Sequence, residues 1–209
     1  MSTKTNRKTE RGYHYGDLKD AILVRAAEII GDAGIEALSL RGIARDLGVS
    51  HGAPNRHFES KSALLAALAA KAWYAVQSEM LDAAASTGSD HPCVRLNAMG
   101  RGFLRWAFTS PALYTALLHP DVWRYSNADL QKAQVEFQEM LHQVVAETQQ
   151  QGRHPDVDPA ILTLYTNSVP FGVAALMRHR SQSNLSELPL DEFIAELVEL
   201  VVPIRHLNQ

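Results

Sequence analysis

Hydrophobic residues recur along most of the chain at the three- and four-residue spacing of an α-helix. Leu18, Ile22, Ala26 and Ile29 show this period near the start, and no segment alternates apolar and polar residues as a half-buried strand would. Gly34 follows the first periodic segment and is placed to end a helix. The pattern predicts an all-α protein of about nine helices, at residues 17–33, 39–46, 51–57, 61–85, 91–108, from 111, 127–151, from 159, and 190–206.

The segment from Leu38 to Ser50 has the pattern of two short helices joined by a tight turn. Ser39 can cap the first helix, and Gly48 stands where the turn requires a positive φ. Val49 can fill the space between the helices, and Ser50 can cap the second helix. These offsets predict a helix-turn-helix, the unit that places its second helix in the major groove of DNA. A plain helical hairpin is the alternative, and it accounts for fewer of these residue choices.

A helix-turn-helix exposes the first turn of its second helix to the edges of the bases. His51 can donate to guanine there, and Gly52 lets the backbone come close. Arg41 can reach a phosphate or a guanine, and Lys61 lies at a predicted helix N-terminus, where free N–H groups also favour phosphate. Phe58 is predicted to fill the core instead. We therefore predict DNA contacts from Ser39, Arg41, Ser50, His51, Gly52, Asn55, Arg56, His57 and Lys61.

The distribution of charge agrees with a nucleic-acid-binding N-terminal part, although the whole chain has a net charge of −3. Residues 1–61 contain ten Lys or Arg against eight Asp or Glu, whereas the remainder contains ten against fifteen. Four of the first eleven residues are basic, which predicts a basic arm at residues 1–12. An ordinary solvated tail explains the charge of this arm equally well.

Other classes of function find little support in the sequence. Apolar residues make up 46% of the chain, but no apolar run approaches the roughly 18 to 20 residues that a membrane span needs, so we expect a soluble, cytoplasmic protein. Cys93 is the only cysteine, which excludes an internal disulfide. Glu139 and His142 have the spacing of half a di-iron site, but a solvated helix face explains them better. We predict no metal, no cofactor and no enzymatic activity, since phosphate loops and nucleophile elbows are also missing.

The N-terminal part resembles the DNA-binding region of the TetR family of transcription regulators over residues 13–65. The family's Arg-His-Phe and its Lys three residues later match Arg56 to Phe58 and Lys61 here. Asn55 stands where the family usually has Tyr, a residue that commonly supports contact with the DNA backbone. The resemblance rests on three segments, YHYGDL at 13–18, LSLR at 38–41 and GVSHGAPNRHFESK at 48–61.

The second half is similar to a branch of this family that carries a Trp-His-Gly element in its eighth helix. The similarity is carried by PALY at 111–114; at the place of the element the chain reads YTNSVPFG at 165–172, without Trp or His. The resemblance implies three parts. These are the basic arm at 1–12, a three-helix helix-turn-helix DNA-binding domain at 13–62, and a helical bundle for ligand binding and dimerisation at 63–209.

The resemblance also implies a small-molecule pocket inside the helical bundle. Aromatic and polar residues cluster in the predicted helices of this region, and the alternative is that they form an ordinary hydrophobic core. The candidate pocket residues are Phe103, Trp106, Tyr114, His119, Trp123, Tyr165, Phe171 and Met177.

The last predicted helix has a wide apolar stripe that includes Phe193, Leu197 and Leu200. A terminal helix this apolar must be covered from water, and a two-fold homodimer, which we expect to be built mainly by the eighth and ninth helices, supplies that cover. We therefore expect a ligand-responsive transcription regulator, a repressor, that binds a palindromic double-stranded DNA operator as a homodimer and is released by a small-molecule effector. The alternative is a helical enzyme or interaction protein whose N-terminal part matches a helix-turn-helix by chance.

Overall fold

The computed structural model describes residues 15–125, 127–177 and 188–208, and all regular structure in these ranges is helical. The predicted arm at 1–12 lies outside the described residues. The described chain divides into two compact units, which meet in sequence between Leu64 and Leu65. The boundary predicted from the sequence, between residues 62 and 63, is two residues away.

The first unit contains two α-helices, α1 (Tyr15–Ala33) and α2 (Leu40–Asp46), joined by a short 3-10 turn. Ile22, Ile43 and Ala44 are fully buried, as the helical period predicts for the inner faces of both helices. The cap of α2 is also as predicted, because the Ser39 hydroxyl oxygen accepts a hydrogen bond from the Gly42 amide at 3.1 Å. Local sequence signals therefore define both helices.

The two glycines predicted to end these helices both adopt a positive φ. Gly34 follows α1 with a φ of 80°, and its amide donates to the Ile30 carbonyl oxygen at 3.1 Å. Gly48 follows α2 with a φ of 67°, so the tight turn of the helix-turn-helix forms at the predicted place. A residue with a Cβ atom is strained in this backbone conformation.

The second helical segment of the motif is shorter than the predicted range 51–57. Residues 51–53 form turns, and only Pro54–Arg56 forms a 3-10 helix. Pro54 has no N–H to donate to the Ser50 carbonyl, so that carbonyl oxygen accepts from the Ala53 amide at 2.9 Å instead. Ser50 was expected to cap this helix with its hydroxyl, and the hydrogen bond described for it uses the backbone carbonyl.

The second unit is a bundle whose first helix, α3 (Lys61–Ala85), contains the boundary between the units. Prolines occupy the first turns of four of its helices, where a missing N–H costs little. His91, His119 and Asn127 cap three helices with their side chains. The remaining helices are α4 (Pro92–Thr109), α5 (Pro111–Leu118), α6 (Pro120–Arg124), α7 (Ala128–Gln150), α8 (Pro159–Met177) and α9 (Leu190–Val201).

The last helix, α9, ends five residues earlier than the predicted residue 206. Pro203 disfavours a helical backbone for Val202, whose φ and ψ are −132° and 82°. Within the described ranges the structure still has nine α-helices, because α6 was not predicted and the segment 51–57 does not form one.

Helix α4 lies at the centre of the second unit and packs against α7, α8 and α9. It also approaches α3 closely at Gly102, where an added Cβ would lie 2.8 Å from the Glu79 carbonyl oxygen and 2.9 Å from the Ala83 Cβ. Neither contact allows a larger side chain, so this crossing requires glycine.

A buried polar group joins α4 to the C-terminal end of α9. The Asn97 Nδ2 donates to the Val202 carbonyl oxygen at 2.7 Å, and the Asn97 Oδ1 accepts from the Arg101 Nε at 2.8 Å. The buried Glu199 carboxylate accepts from the backbone amides of Ile204 and Arg205, at 2.8 and 2.9 Å. These bonds hold the chain after α9 in place.

Candidate nucleic-acid interface and apolar cavity

The first unit presents two arginines on one exposed face of α2. Arg41 and Arg45 are four residues apart, so they lie on the same side of the helix, and the Arg45 side chain is 78% exposed. With Ser39 and His51 they border a cleft on this unit. Two guanidinium groups and an imidazole on one open surface form a site that suits phosphates and base edges. Arg45 was absent from the predicted DNA contacts, although its spacing from Arg41 could have indicated it.

The segment 51–57 exposes four of the nine residues predicted to contact DNA. His51, Gly52, Asn55 and Arg56 are exposed, as is Ser50 before them, whereas His57 is half-buried. An added Cβ at Gly52 would meet nothing within 4 Å, so glycine leaves open surface there rather than serving internal packing. The buried Pro54 and Phe58 anchor the segment, and the prediction that Phe58 belongs to the core is confirmed.

The predicted phosphate ligand Lys61 is the first residue of α3. Its Nζ lies 3.9 Å from a carboxylate oxygen of the exposed Glu36. Ser60 caps the helix, because its hydroxyl oxygen accepts from the Ala63 amide at 3.0 Å. An exposed surface carboxylate at this distance binds weakly, so a phosphate can replace it.

Arg25 of α1 fixes the C-terminal end of α2. Its Nε and Nη2 donate to one carboxylate oxygen of Asp46, at 3.1 and 3.0 Å, and its Nη1 donates to Glu28 at 2.8 Å. The hydrogen bonds from Arg25 hold the pKa of the Asp46 carboxyl below its usual value. Asp46 lines the same cleft as Arg41 and Arg45, and its other carboxylate oxygen lies 3.5 Å from the Arg45 Nε.

Replacing Arg25 by alanine should raise the pKa of Asp46 toward that of an ordinary aspartate. Because Arg25 binds the ionised carboxylate, the pair stabilises the contact of α1 with α2 above the ordinary pKa, and that stabilisation is lost as the pH falls through the lowered pKa. An NMR titration of the Asp46 carboxyl in both proteins measures the change. Arg45→Ala is the control and should have the smaller effect, and an Asp46 pKa that is insensitive to Arg25→Ala contradicts the assignment.

The second unit contains an apolar cavity between α3, α4, α7, α8 and α9 that opens to solvent. The space that the centre of a water-sized sphere can reach is about 30 Å³, and the empty volume is about 500 Å³ when the space open to solvent is included. Its walls are aliphatic except for one ring and two neutral polar side chains, Thr166 and Asn167, both on α8. The cavity is lined by Met80, Leu96, Gly100, Phe103, Leu104, Leu141, Thr166, Asn167, Val169, Pro170, Val173, Leu197, Val198, Val201 and Val202.

Of the eight residues predicted to form the pocket, Phe103 lines this cavity. Phe103 and Phe171 stack with their ring centroids 4.5 Å apart, and Tyr114 meets Phe103 and Trp106 edge to face at 6.4 Å from each. The Tyr114 hydroxyl donates to the Phe171 carbonyl oxygen at 2.7 Å. Trp106, Tyr114 and Phe171 therefore fill the core beside the cavity. Trp73, which the sequence analysis did not single out, continues this cluster toward Phe137 at 4.7 Å.

Three further predicted pocket residues, His119, Tyr165 and Met177, do not line this cavity. His119 is the N-cap of α6, where its Nδ1 accepts from the Asp121 amide at 3.2 Å. Met177 is buried at the end of α8, and Tyr165 is half exposed on its outer face. The side chain of Trp123 lies outside the described part of the chain.

Helix α8 exposes a stripe of large apolar residues. Ile161, Leu164 and Leu176 are exposed at helical spacing, and Leu164 is 66% exposed. On α9, Leu200 is 80% exposed. We call this set, together with Tyr165, the α8–α9 apolar face. Of the predicted dimer contacts, Leu200 belongs to it, whereas Phe193 and Leu197 are half-buried and Leu197 also lines the cavity.

Helix α8 is also long and apolar enough to cross a membrane, judged by its length and composition alone. The apolar runs of the sequence do not predict such a segment. A single helix of this kind is weak evidence for a span. Among the described residues, no group of three or more His, Cys, Asp or Glu side chains is placed to hold a metal ion.

Two sequence families match the chain. Residues 22–68 match the family described as "Bacterial regulatory proteins, tetR family". Residues 96–201, just over half of the chain, match the family described as "Tetracyclin repressor-like, C-terminal domain". No curated protein sequence is significantly similar to the chain.

Solved structures share the fold over nearly the whole chain. A protein of unknown function from Rhodococcus sp. RHA1 is 26% identical with a TM-score of 0.75, and the match covers 92% of this chain and 97% of the other. AibR, solved with isovaleryl coenzyme A and operator DNA, is 19% identical with a TM-score of 0.67 and coverages of 88% and 98%. The fatty acid degradation regulator FadR from Bacillus halodurans is 13% identical with a TM-score of 0.72 and coverages of 90% and 96%.

Proposed function

The chain belongs to the TetR family of bacterial regulatory proteins, and we propose on that premise that it is a ligand-responsive repressor. In this proposal it binds a palindromic operator as a homodimer in the cytoplasm and is released from DNA by a small molecule. The observation that carries the proposal is the exposed basic surface of the helix-turn-helix, formed by Arg41, Arg45, His51 and Arg56.

The arrangement of this surface supports two different roles for its residues, contact with base edges and contact with phosphates. His51 and the open position at Gly52 begin the second segment of the motif, where side chains reach base edges in the major groove. The arginines of α2 and Lys61 at the start of α3 supply the charge for phosphate contacts. Phosphate contacts set affinity and position, and base contacts set the sequence that is read.

The homodimer is supported by the α8–α9 apolar face. Exposed leucines at helical spacing on a helix without charged residues are costly in water, and a second copy of the chain covers them most simply. A two-fold dimer presents two identical DNA-binding units, and a palindromic operator has the same symmetry.

The small-molecule effector is supported by the cavity of the second unit, which is apolar with two polar groups on one wall. The structure of AibR with isovaleryl coenzyme A and operator DNA is one example of this fold that binds both kinds of partner. An effector releases the protein from DNA only when it binds one conformation better than another. Operator DNA must then weaken effector binding by the same factor.

A footprint on the DNA upstream of the protein's own gene tests the proposal directly. Purified full-length protein should protect a palindromic sequence there, and the affinity should fall steeply as the salt concentration rises. Unrelated DNA of the same length serves as the control. Equal, weak binding to both DNAs would contradict a role as an operator-specific repressor.

Replacing Lys61 by alanine should weaken binding to every DNA sequence and reduce the salt dependence by about one phosphate contact. Lys61 contributes charge without reading a base, so preference among operator variants should be unchanged. Lys71→Ala is the matched control, since Lys71 is an exposed lysine of the same helix that belongs to the second unit. Mobility-shift titrations at several salt concentrations measure both quantities, and an unchanged slope for Lys61→Ala would refute the assignment.

A further inference from the structure

Arg153, in the connection between α7 and α8, is a partly buried cation with few partners. Its Nη2 donates to the Val201 carbonyl oxygen at 3.0 Å and contacts the Thr166 hydroxyl oxygen at 3.4 Å. Its Nε and Nη1 are shielded from solvent and make no hydrogen bond to any described residue. No carboxylate in the described part of the chain forms an ion pair with it, and burial lowers the pKa of the guanidinium. Removing a charge from water without pairing it is unfavourable, so this arrangement requires an explanation.

A purely structural role of Arg153 explains only one of its three guanidinium nitrogens, Nη2. The bond to Val201 satisfies a carbonyl at the C-terminal end of α9, where a cation is also favoured by the helix dipole. That bond uses Nη2 alone. A lysine or a neutral donor could provide it without leaving two further N–H groups buried and unpaired.

Arg153 lies directly behind the polar wall of the cavity. Both residues that its Nη2 contacts, Thr166 and Val201, line the cavity. Because the Thr166 oxygen accepts from Arg153, the Thr166 hydroxyl hydrogen is available to donate to a ligand. The neighbouring Asn167 amide also lines the cavity and can donate. This wall therefore combines two neutral donors with a positive charge behind them, while the remaining walls are apolar and uncharged.

We propose that the effector of this cavity is an aliphatic carboxylic acid, bound with its carboxylate against Thr166 and Asn167 and its chain along the apolar walls. The proposal deepens the proposed function and rests on its assignment of the cavity as the effector site. Arg153 does not itself line the cavity, and its Nη2, bonded to the Thr166 hydroxyl oxygen, supplies the compensating charge from behind the wall. An amine would be repelled, and an alcohol would keep the apolar contacts without the charge interaction.

Calorimetric titrations of the full-length protein with octanoate, octanol and octylamine test this class, because the three probes share one alkyl chain. In the wild-type protein octanoate should bind about tenfold more tightly than octanol, the effect expected of one charge-assisted hydrogen-bonding group, and octylamine should bind most weakly. Arg153→Met should remove the preference for octanoate and leave octanol binding unchanged. Arg95→Met is the matched control, because Arg95 is an arginine of the same unit paired with Glu147 at 3.4 Å, and it should change neither affinity.

Each outcome decides the proposal. Equal affinities for octanoate and octanol in the wild-type protein would overturn the carboxylate and leave an apolar effector cavity in place. Failure of all three probes to bind would overturn the proposal too, while operator binding measured on the same preparation shows separately whether the regulator function stands. If Arg153→Met does not fold, Thr166→Val and Asn167→Leu should each reduce the preference for octanoate over octanol, and an unchanged preference in both would overturn the proposal.

Discussion

Replacing Leu164 by glutamate should convert the protein to a monomer and lower its affinity for a palindromic operator by about a hundredfold or more. Leu164 is 66% exposed on α8, so the substitution does not disturb the core, but it places a charge in the apolar contact proposed between two copies. A dimer engages two half-sites together, and a monomer loses that gain in effective concentration. Analytical ultracentrifugation and mobility-shift titration measure the two effects.

The control for this prediction is Val135→Glu on α7, which introduces the same charge at an exposed apolar residue outside the α8–α9 apolar face. It should remain a dimer and bind the operator as the wild-type protein does. Leu200→Glu on α9 is a second probe of the face, whereas Leu197 is unsuitable because it lines the cavity. A Leu164→Glu protein that remains a dimer would refute the proposed interface.

Replacing Tyr114 by alanine should destabilise the second unit by about 3 to 5 kcal/mol, the range for removing a large buried aromatic side chain. Tyr114 is fully buried, its ring meets Phe103, Trp106 and Phe171, and its hydroxyl bonds the Phe171 carbonyl oxygen. Removing the ring leaves a cavity among three other rings. Tyr114→Phe should cost only about 1 kcal/mol, because the packing remains and one hydrogen bond is lost.

Urea unfolding at a fixed protein concentration measures these differences, since a dimer's apparent stability depends on concentration. The control is Tyr74→Ala, a tyrosine exposed on the surface of α3, whose replacement should change the free energy of unfolding by no more than about 0.5 kcal/mol. A Tyr114→Ala protein as stable as Tyr74→Ala would contradict the assignment of this cluster to the core.

The sequence by itself determined the elements of the fold, because helix formation is encoded by local signals. The cap at Ser39, the positive φ at Gly34 and Gly48, and the helical period of apolar residues all lie within a few residues of the helices they define. The segments whose helical extent was predicted wrongly contain or precede a proline, which interrupts a helix that the spacing of apolar residues predicts. Pro54 limits the segment 51–57 to a 3-10 turn, and Pro203 ends α9 early.

Only the tertiary structure decided which side chains are available for binding. Apolar residues at helical spacing indicate that one face of a helix avoids water. They do not show whether that face packs in the core, lines a cavity or contacts a partner chain. Trp106 and Tyr114, which are pocket candidates from the sequence, are buried outside the lining of the described cavity.

Contacts between residues distant in sequence were likewise decided by packing alone. The bond of Asn97 to Val202 and that of Arg153 to Val201 join positions 105 and 48 residues apart. No local pattern encodes such pairs, because each depends on how four or more helices pack together. The electropositive wall of the cavity, which defines the chemistry proposed for its ligand, exists only because α9 brings Val201 to Arg153 beside Thr166.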